Sequence, residues 1–205
     1  MKKLCALTVV VVLMSFGLFF MSCDNEETLQ SLYDIANSTE GLESLIVLIS
    51  FIDQYSVESD IEESFRDTTI TATVFVPNNA AFASLFSISG TLTESDISAF
   101  ADYYGVSDGE MAGYLADIIG LHVIVDQKLY KADIIADADG EIGPTEWDDG
   151  VSVNLLVSVD GETVTLTPDI GDSTSADIIT ADIEASNGIA HIIDDVLWPP
   201  PPEEE

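Results

Sequence analysis

Two hydrophobic periodicities follow one another along this chain, and their order limits the fold more than any other feature. In the first half, apolar residues recur every three or four positions, as in Leu29, Leu32, Tyr33, Ile35 and Ala36, or Leu42, Leu45, Ile46, Leu48, Ile49 and Ile52. That spacing lines one face of a helix. Helices are expected over 28–37 with Thr28 as cap, over 40–54, from Asn78 through Phe86, over 93–104, and from a Ser107 capping box to Gly120. Glu94 and Asp96 fall in a first turn, where the helix end is positive. A strand over 70–76, closed by Pro77, interrupts this series, and 122–125 reads as a short strand. Residues 56–69 are polar and acidic and read as a loop. In the second half Val151, Val153, Leu155 and Val157 alternate with polar residues except at Leu156. Asp160-Gly161 marks a tight turn, and Val164 and Leu166 lie on the return strand. Residues 178–183 and 189–193 give two more strands. Helices first and hairpins later argue for an α+β domain around one core.

The chain starts differently. Lys2 and Lys3 precede 18 uncharged residues, 4–21, and Ser22-Cys23 is followed at once by Asp24, Asn25, Glu26 and Glu27. A basic start, an apolar run and a small residue before a cut site describe an export signal. An uncleaved membrane helix is the alternative, since 18 apolar residues is the lower edge of a spanning length. Phe20-Met21-Ser22-Cys23 resembles a bacterial lipobox, with Phe20 where leucine is usual. On that reading 1–22 is a lipoprotein signal peptide, Cys23 is the lipid attachment site and 23–27 is an acidic tether. In both readings Lys2 and Lys3 stay on the inner side, and the rest lies outside the cytoplasm. Residues 200–205 form an exposed proline and acidic tail, which Pro199 begins.

The formal net charge is −33, from 5 Lys plus Arg against 38 Asp plus Glu. Loss of a leader carrying Lys2 and Lys3 takes it to about −35. Nucleic acid is excluded as a partner, because binding to its backbone rests on Lys and Arg displacing counterions. Cations, basic proteins or neutral polymers are favoured. Such a surface is also a solvation strategy for a salty medium, where salt screens self-repulsion.

Little here assembles into chemistry. The 2 cysteines are Cys5 and Cys23, so the domain holds no thiolate cluster or disulfide framework. His122 and His191 are the only histidines. They read as hydrogen-bonded core positions rather than a metal pair or a catalytic base, because zinc sites cluster their ligands. No serine sits in a nucleophile elbow and no glycine-rich loop follows a strand. No catalytic, cofactor or metal residue is assigned, and an enzyme is not expected. One segment invites a calcium test. With Gly140 at position six of an EF-hand loop, Asp137 and Asp139 fall at three and five and Glu146 at twelve. Position one is then Ile135, which cannot ligate through its side chain, and Pro144 hinders an exiting helix. Residues 137–146 therefore read as an acidic loop between strands, with a weak calcium site as the alternative.

Two blocks carry more than periodicity. They are Thr73-Val74-Phe75-Val76-Pro77-Asn78-Asn79-Ala80-Ala81-Phe82 and Ala181-Asp182-Ile183-Glu184-Ala185-Ser186-Asn187-Gly188-Ile189-Ala190-His191-Ile192-Ile193-Asp194-Asp195-Val196-Leu197-Trp198-Pro199. Both closely resemble blocks of the fasciclin (FAS1) domain family. His122-Val123-Ile124-Val125 resembles its Tyr-His segment, with Leu121 in place of the tyrosine. Tyr130-Lys131-Ala132-Asp133-Ile134 looks like the strand-end segment that follows. The resemblance implies a single α+β domain over 28–199, a β-sandwich with packed N-terminal helices. It also implies an extracellular or membrane-anchored module for cell adhesion or matrix binding. No ligand residue carries over. The expectation is a lipid-anchored cell-envelope protein facing the periplasm or the exterior. Its partner would be extracellular matrix, a glycan or a cell-surface protein. A structural or calcium-binding envelope protein without a specific adhesive partner is the alternative.

Overall fold

The computed structural model describes residues 29–56, 60–147 and 151–198, apart from the side chains at 146 and 147. The leader, Cys23, the tether and the tail at 200–205 lie outside the described residues. In chain order the helices are α1 (Leu32–Ser38), α2 (Glu43–Tyr55), α3 (Ile61–Arg66), α4 (Asn79–Leu85), α5 (Glu94–Tyr104), α6 (Asp108–Gly120) and α7 (Lys131–Ala136). The strands are β1 (Ala72–Pro77), β2 (Val123–Val125), β3 (Glu141–Trp147), β4 (Val151–Asp160), β5 (Thr163–Pro168), β6 (Ala176–Ala185) and β7 (Gly188–Ile193).

The strands hydrogen-bond in the order β2-β1-β7-β6-β5-β4-β3. Among the described strands only β1 and β7 run parallel, with Thr73 opposite Ile189 and Phe75 opposite His191. The two end strands, β2 and β3, come close without pairing, so the sheet curls but does not close. This is the α+β fold expected from the chain's two periodicities.

The β1–β7 pair is buried on both faces, as a parallel pair usually is. Side chains alternate across a strand, so each strand feeds two cores. Ala72, Val74, Val76 and Ala190 join a helix-side core with Leu48, Ile52, Phe82 and Leu115. Phe75 and Ile193 join a strand-side core with Leu155, Val164 and Leu166 from the hairpins. Strands from both ends of the series contribute to that second core, which the sheet therefore wraps.

Several local expectations change. Helix α1 starts at Leu32, and Ser31 rather than Thr28 caps it, its Oγ accepting from Asp34 N. The acidic stretch 56–69 contains α3. Asp60 caps it, and the Asp53 carboxylate of α2 accepts from Ile61 N at 2.8 Å and Glu62 N at 3.1 Å. A six-residue helix with one buried side chain, Phe65, needs such outside support. Tyr130-Ile134 is not a strand end. It opens α7, with the Asp133 carboxylate accepting from Tyr130 N and Ile134 fully buried. Residues 141–147 form β3, paired with β4, where an EF-hand would need its exiting helix.

The tight turn at Asp160-Gly161 moves by one residue: Asp160 pairs with Thr163, so Gly161 (φ +64°) and Glu162 make the loop. Ala185 pairs with Gly188, leaving Ser186 and Asn187 in the turn between β6 and β7. Gly188 is glycine for lack of room: a Cβ there would collide with the Ala72 carbonyl oxygen and lie 2.9 Å from Leu32 Cδ1.

Candidate functional site

The sequence places no chemistry in one spot, so the site is sought as a surface. Helix α5 offers one. Asp96, Ala99, Phe100, Tyr103 and Tyr104 follow at helical spacing and line one face. The core takes a different stripe, Ile97 and Ala101, both buried. The aromatic face thus projects beside the core and not into it. A capping box fixes the helix start: Thr93 Oγ1 accepts from Asp96 N, and the Asp96 carboxylate accepts from Thr93 N at 2.9 Å. Gly105, at φ +70°, ends it as a left-handed cap.

Across from α5 lies the end of α4 with Leu85, Phe86, Ser87 and Ile88, and Trp198 completes the walls. The enclosed hollow is an open groove of about 490 Å³. Its rings meet edge to face: Phe100 with Phe86 at 4.8 Å, with Tyr104 at 4.9 Å and with Trp198 at 6.4 Å. Tyr103 and Tyr104 stand perpendicular, 5.2 Å apart. Tyr103 is 82% exposed and Tyr104 53% exposed, so neither is needed to fill the core. By contrast, two hollows beneath the helices measure only about 20 and about 10 Å³, room for one water at most.

The backbone just before Trp198 is held by a histidine. His122 lies buried between α6 and β2. Its Nδ1 is 2.7 Å from the Ile118 carbonyl oxygen and must donate there, so Nε2 is free to accept from Leu197 N at 3.0 Å. The Trp198 carbonyl in turn accepts from Thr174 N. Burial lowers the His122 pKa to about 4, against a smaller opposing pull from the Ile118 carbonyl. His191 uses the opposite tautomer. Its Nε2 donates to the Leu129 carbonyl at 2.8 Å and Nδ1 accepts from Asp182 N at 3.3 Å. Burial also holds its pKa below the ordinary value, and its ring stacks on Phe75 at 5.5 Å. Each histidine is a neutral cross-link between chain segments.

Four other positions of the family-like segments have structural roles. Asn187 is 1% exposed. Its Oδ1 accepts from Leu32 N, while Nδ2 donates to the Phe65 and Asp67 carbonyls, so one amide joins α1, α3 and the β6–β7 turn. Asn78 caps α4 by accepting from Ala81 N. Asn79 reaches away instead and accepts from Ser44 N at the start of α2. Leu121, in place of the tyrosine, is fully buried.

The acidic loop borders a second open hollow, of about 300 Å³, lined by Asp137, Glu141 and Asn154 among others. There Glu141 accepts from Asn154 Nδ2 at 2.6 Å. Among the described residues no three His, Cys, Asp or Glu side chains are grouped to hold a metal ion. Among the same residues no helix is long and apolar enough to cross a membrane.

Comparison with known proteins agrees with this architecture. No curated protein matches the chain. Among solved structures, a FAS1 domain pair from the insect cell adhesion molecule fasciclin I superposes with a TM-score of 0.61 at 16% sequence identity. The match covers 83% of this chain and 51% of that one, so the chain spans about half the length of the pair. At that identity the likeness shows the fold. The Fasciclin domain model matches residues 44–199 of the 205, taking in both sequence blocks and the whole sheet. The chain belongs to the fasciclin family, whose domain is found in cell adhesion proteins.

Proposed function

We propose that this protein is a non-enzymatic adhesion or matrix-binding module, held at the cell envelope by a lipid on Cys23 and facing the periplasm or the exterior. The observation that carries this reading is the Fasciclin domain over 44–199. Two features of the chain support it. The lipobox-like Phe20-Met21-Ser22-Cys23 follows an apolar run and precedes acidic residues. The domain behind it offers a large exposed aromatic groove, and exposed apolar patches rimmed by polar groups mark interaction sites.

Attachment of cells bearing the protein to extracellular polymer or to other cells tests the adhesive role. Attachment should be lost when 28–199 is deleted, and attachment that survives the deletion would remove the reading. The anchor is tested separately with Cys23→Ala. Loss of the lipid mass and release from the membrane fraction are expected. Unchanged mass and fractionation would favour an uncleaved helix over residues 4–21.

A further inference from the structure

The groove along α5 has a chemical character that narrows its occupant. Its walls are the rings of Phe86, Phe100, Tyr103, Tyr104 and Trp198, and its one ionisable carboxyl side chain is that of Asp96. The faces of aromatic rings attract cations, and a carboxylate beside them adds to the attraction. The fold already uses this pairing elsewhere. Arg66 lies 4.2 Å from the centre of the Tyr33 ring while bonding Asp34 at 2.6 Å and Glu62 at 3.0 Å.

No cation among the described residues lines the groove. Among the described residues the cations are Arg66, Lys128 and Lys131. Arg66 is engaged with Tyr33, while the Lys128 and Lys131 ammonium groups donate to the Ala185 and Glu162 carbonyls. A second copy of the chain, at −33, would be repelled. Glu203, Glu204 and Glu205 carry the same sign of charge as Asp96 and offer it no counter-charge. Charge complementarity therefore points outward, to a basic partner. Arginine fits better than lysine, because a planar guanidinium stacks on rings and bonds a carboxylate with two donors at once.

We propose that the α5 groove docks an arginine-bearing basic segment of a partner protein. A guanidinium sits among Phe100, Tyr103, Tyr104 and Trp198 and pairs with Asp96. This rests on the adhesive reading above and names the chemistry of its partner. The field of the acidic surface gathers basic segments, and the groove selects among them by stacking.

The test is an NMR titration of the full chain with the blocked peptide Ac-GRGRG-NH2, its uncharged citrulline counterpart and a neutral cello-oligosaccharide. The arginine peptide should move the ring signals of Phe100, Tyr103 and Tyr104 and the indole of Trp198. Its affinity should fall at least tenfold in Tyr103→Ser/Tyr104→Ser. Asp96→Asn keeps a cap acceptor and removes the charge, and should weaken binding several-fold. Both tyrosines are exposed, so the double variant folds, and circular dichroism checks that. Four outcomes would overturn the proposal: shifts spread over the acidic surface and indifferent to the double variant, equal binding of the citrulline peptide, binding of the oligosaccharide alone, or binding only after deletion of 199–205. Retained cell or polymer attachment in the double variant would also overturn it, while leaving the adhesive reading intact.

Discussion

The two sides of the β1–β7 pair are filled with the same kinds of aliphatic residue, yet they meet the surface differently. On the strand side every second residue of β4 and β5 points inward, Val153, Leu155, Val157, Val164 and Leu166 being buried. The residues between them are mostly polar and face out. Alternation leaves such a strand little apolar surface to spare, Val151 and Leu156 being the exposed exceptions on β4. On the helix side α5 gives Ile97 and Ala101 to the core, and in its next stripe Phe100 packs on Phe86 and Trp198 while Tyr103 and Tyr104 stay exposed. A helix carries more than one stripe, so it can serve a core and a binding face together. On the docking proposal, that contrast separates a side that serves stability from a side that serves recognition.

The contrast is broken or sharpened by measurement, the largest effect first. Phe75→Ala empties the centre of the strand-side core and should cost about 4 kcal/mol in urea unfolding. A loss under about 1 kcal/mol would mean that this side is not the rigid one. Asn187→Ala leaves Leu32 N and the Phe65 and Asp67 carbonyls unpaired, and should cost about 3 kcal/mol by the same method. Near-wild-type stability would show that water replaces the amide.

The histidines give a pH test of both sides. His122 has a folded pKa of about 4 against an ordinary 6.5, because burial disfavours its charged form. The unfolded chain therefore binds the proton more readily than the folded one. Its stabilising contribution is complete above pH 6.5 and is lost as the pH falls toward about 4, by about 3 kcal/mol in all. His191 shifts in the same direction and adds to that loss. Urea titrations between pH 7 and 4.5 should show a shallower decline for His122→Gln than for wild type. Parallel declines would mean that His122 does not carry the acid sensitivity.

Diluting salt should lower the melting temperature by roughly 3 °C, since acidic groups on both sides then repel unscreened. A flat melting temperature would contradict it. Tyr103→Ser should change stability by under about 0.5 kcal/mol while weakening groove binding. A large loss would place Tyr103 in the core and erase the contrast between the two sides.

Much of the fold was legible from the chain, for local reasons. Thr93 and Ser107 announce α5 and α6 because a capping box lies within four residues. Helix α3 was hidden, since the carboxylate that holds its start is Asp53 on another helix. Helix α7 was masked by its likeness to a strand end. The Asn78-Asn79 pair was readable only in part: Asn78 caps its own helix, and Asn79 serves one 35 residues earlier. The groove went unread although its signal was present. Asp96, Phe100 and Tyr103 share a helical face that Ile97 and Ala101 do not, and two stripes on one helix are a mark of divided duty.

The sequence by itself determined the two periodicities, the order of helices before hairpins, the acidic surface and the paired blocks of the fasciclin domain. The first three follow from spacing and composition, which act over one or two turns of chain, and the blocks from their resemblance to the family. The tertiary structure alone decided that β1 and β7 lie parallel at the centre, and that His122 holds the backbone beside Trp198 by one hydrogen bond. It also decided that Gly188 is required by the Ala72 carbonyl, and that Tyr103 and Tyr104 of α5 stay exposed. Each of these joins residues far apart in the chain, and only packing brings such partners within bonding distance.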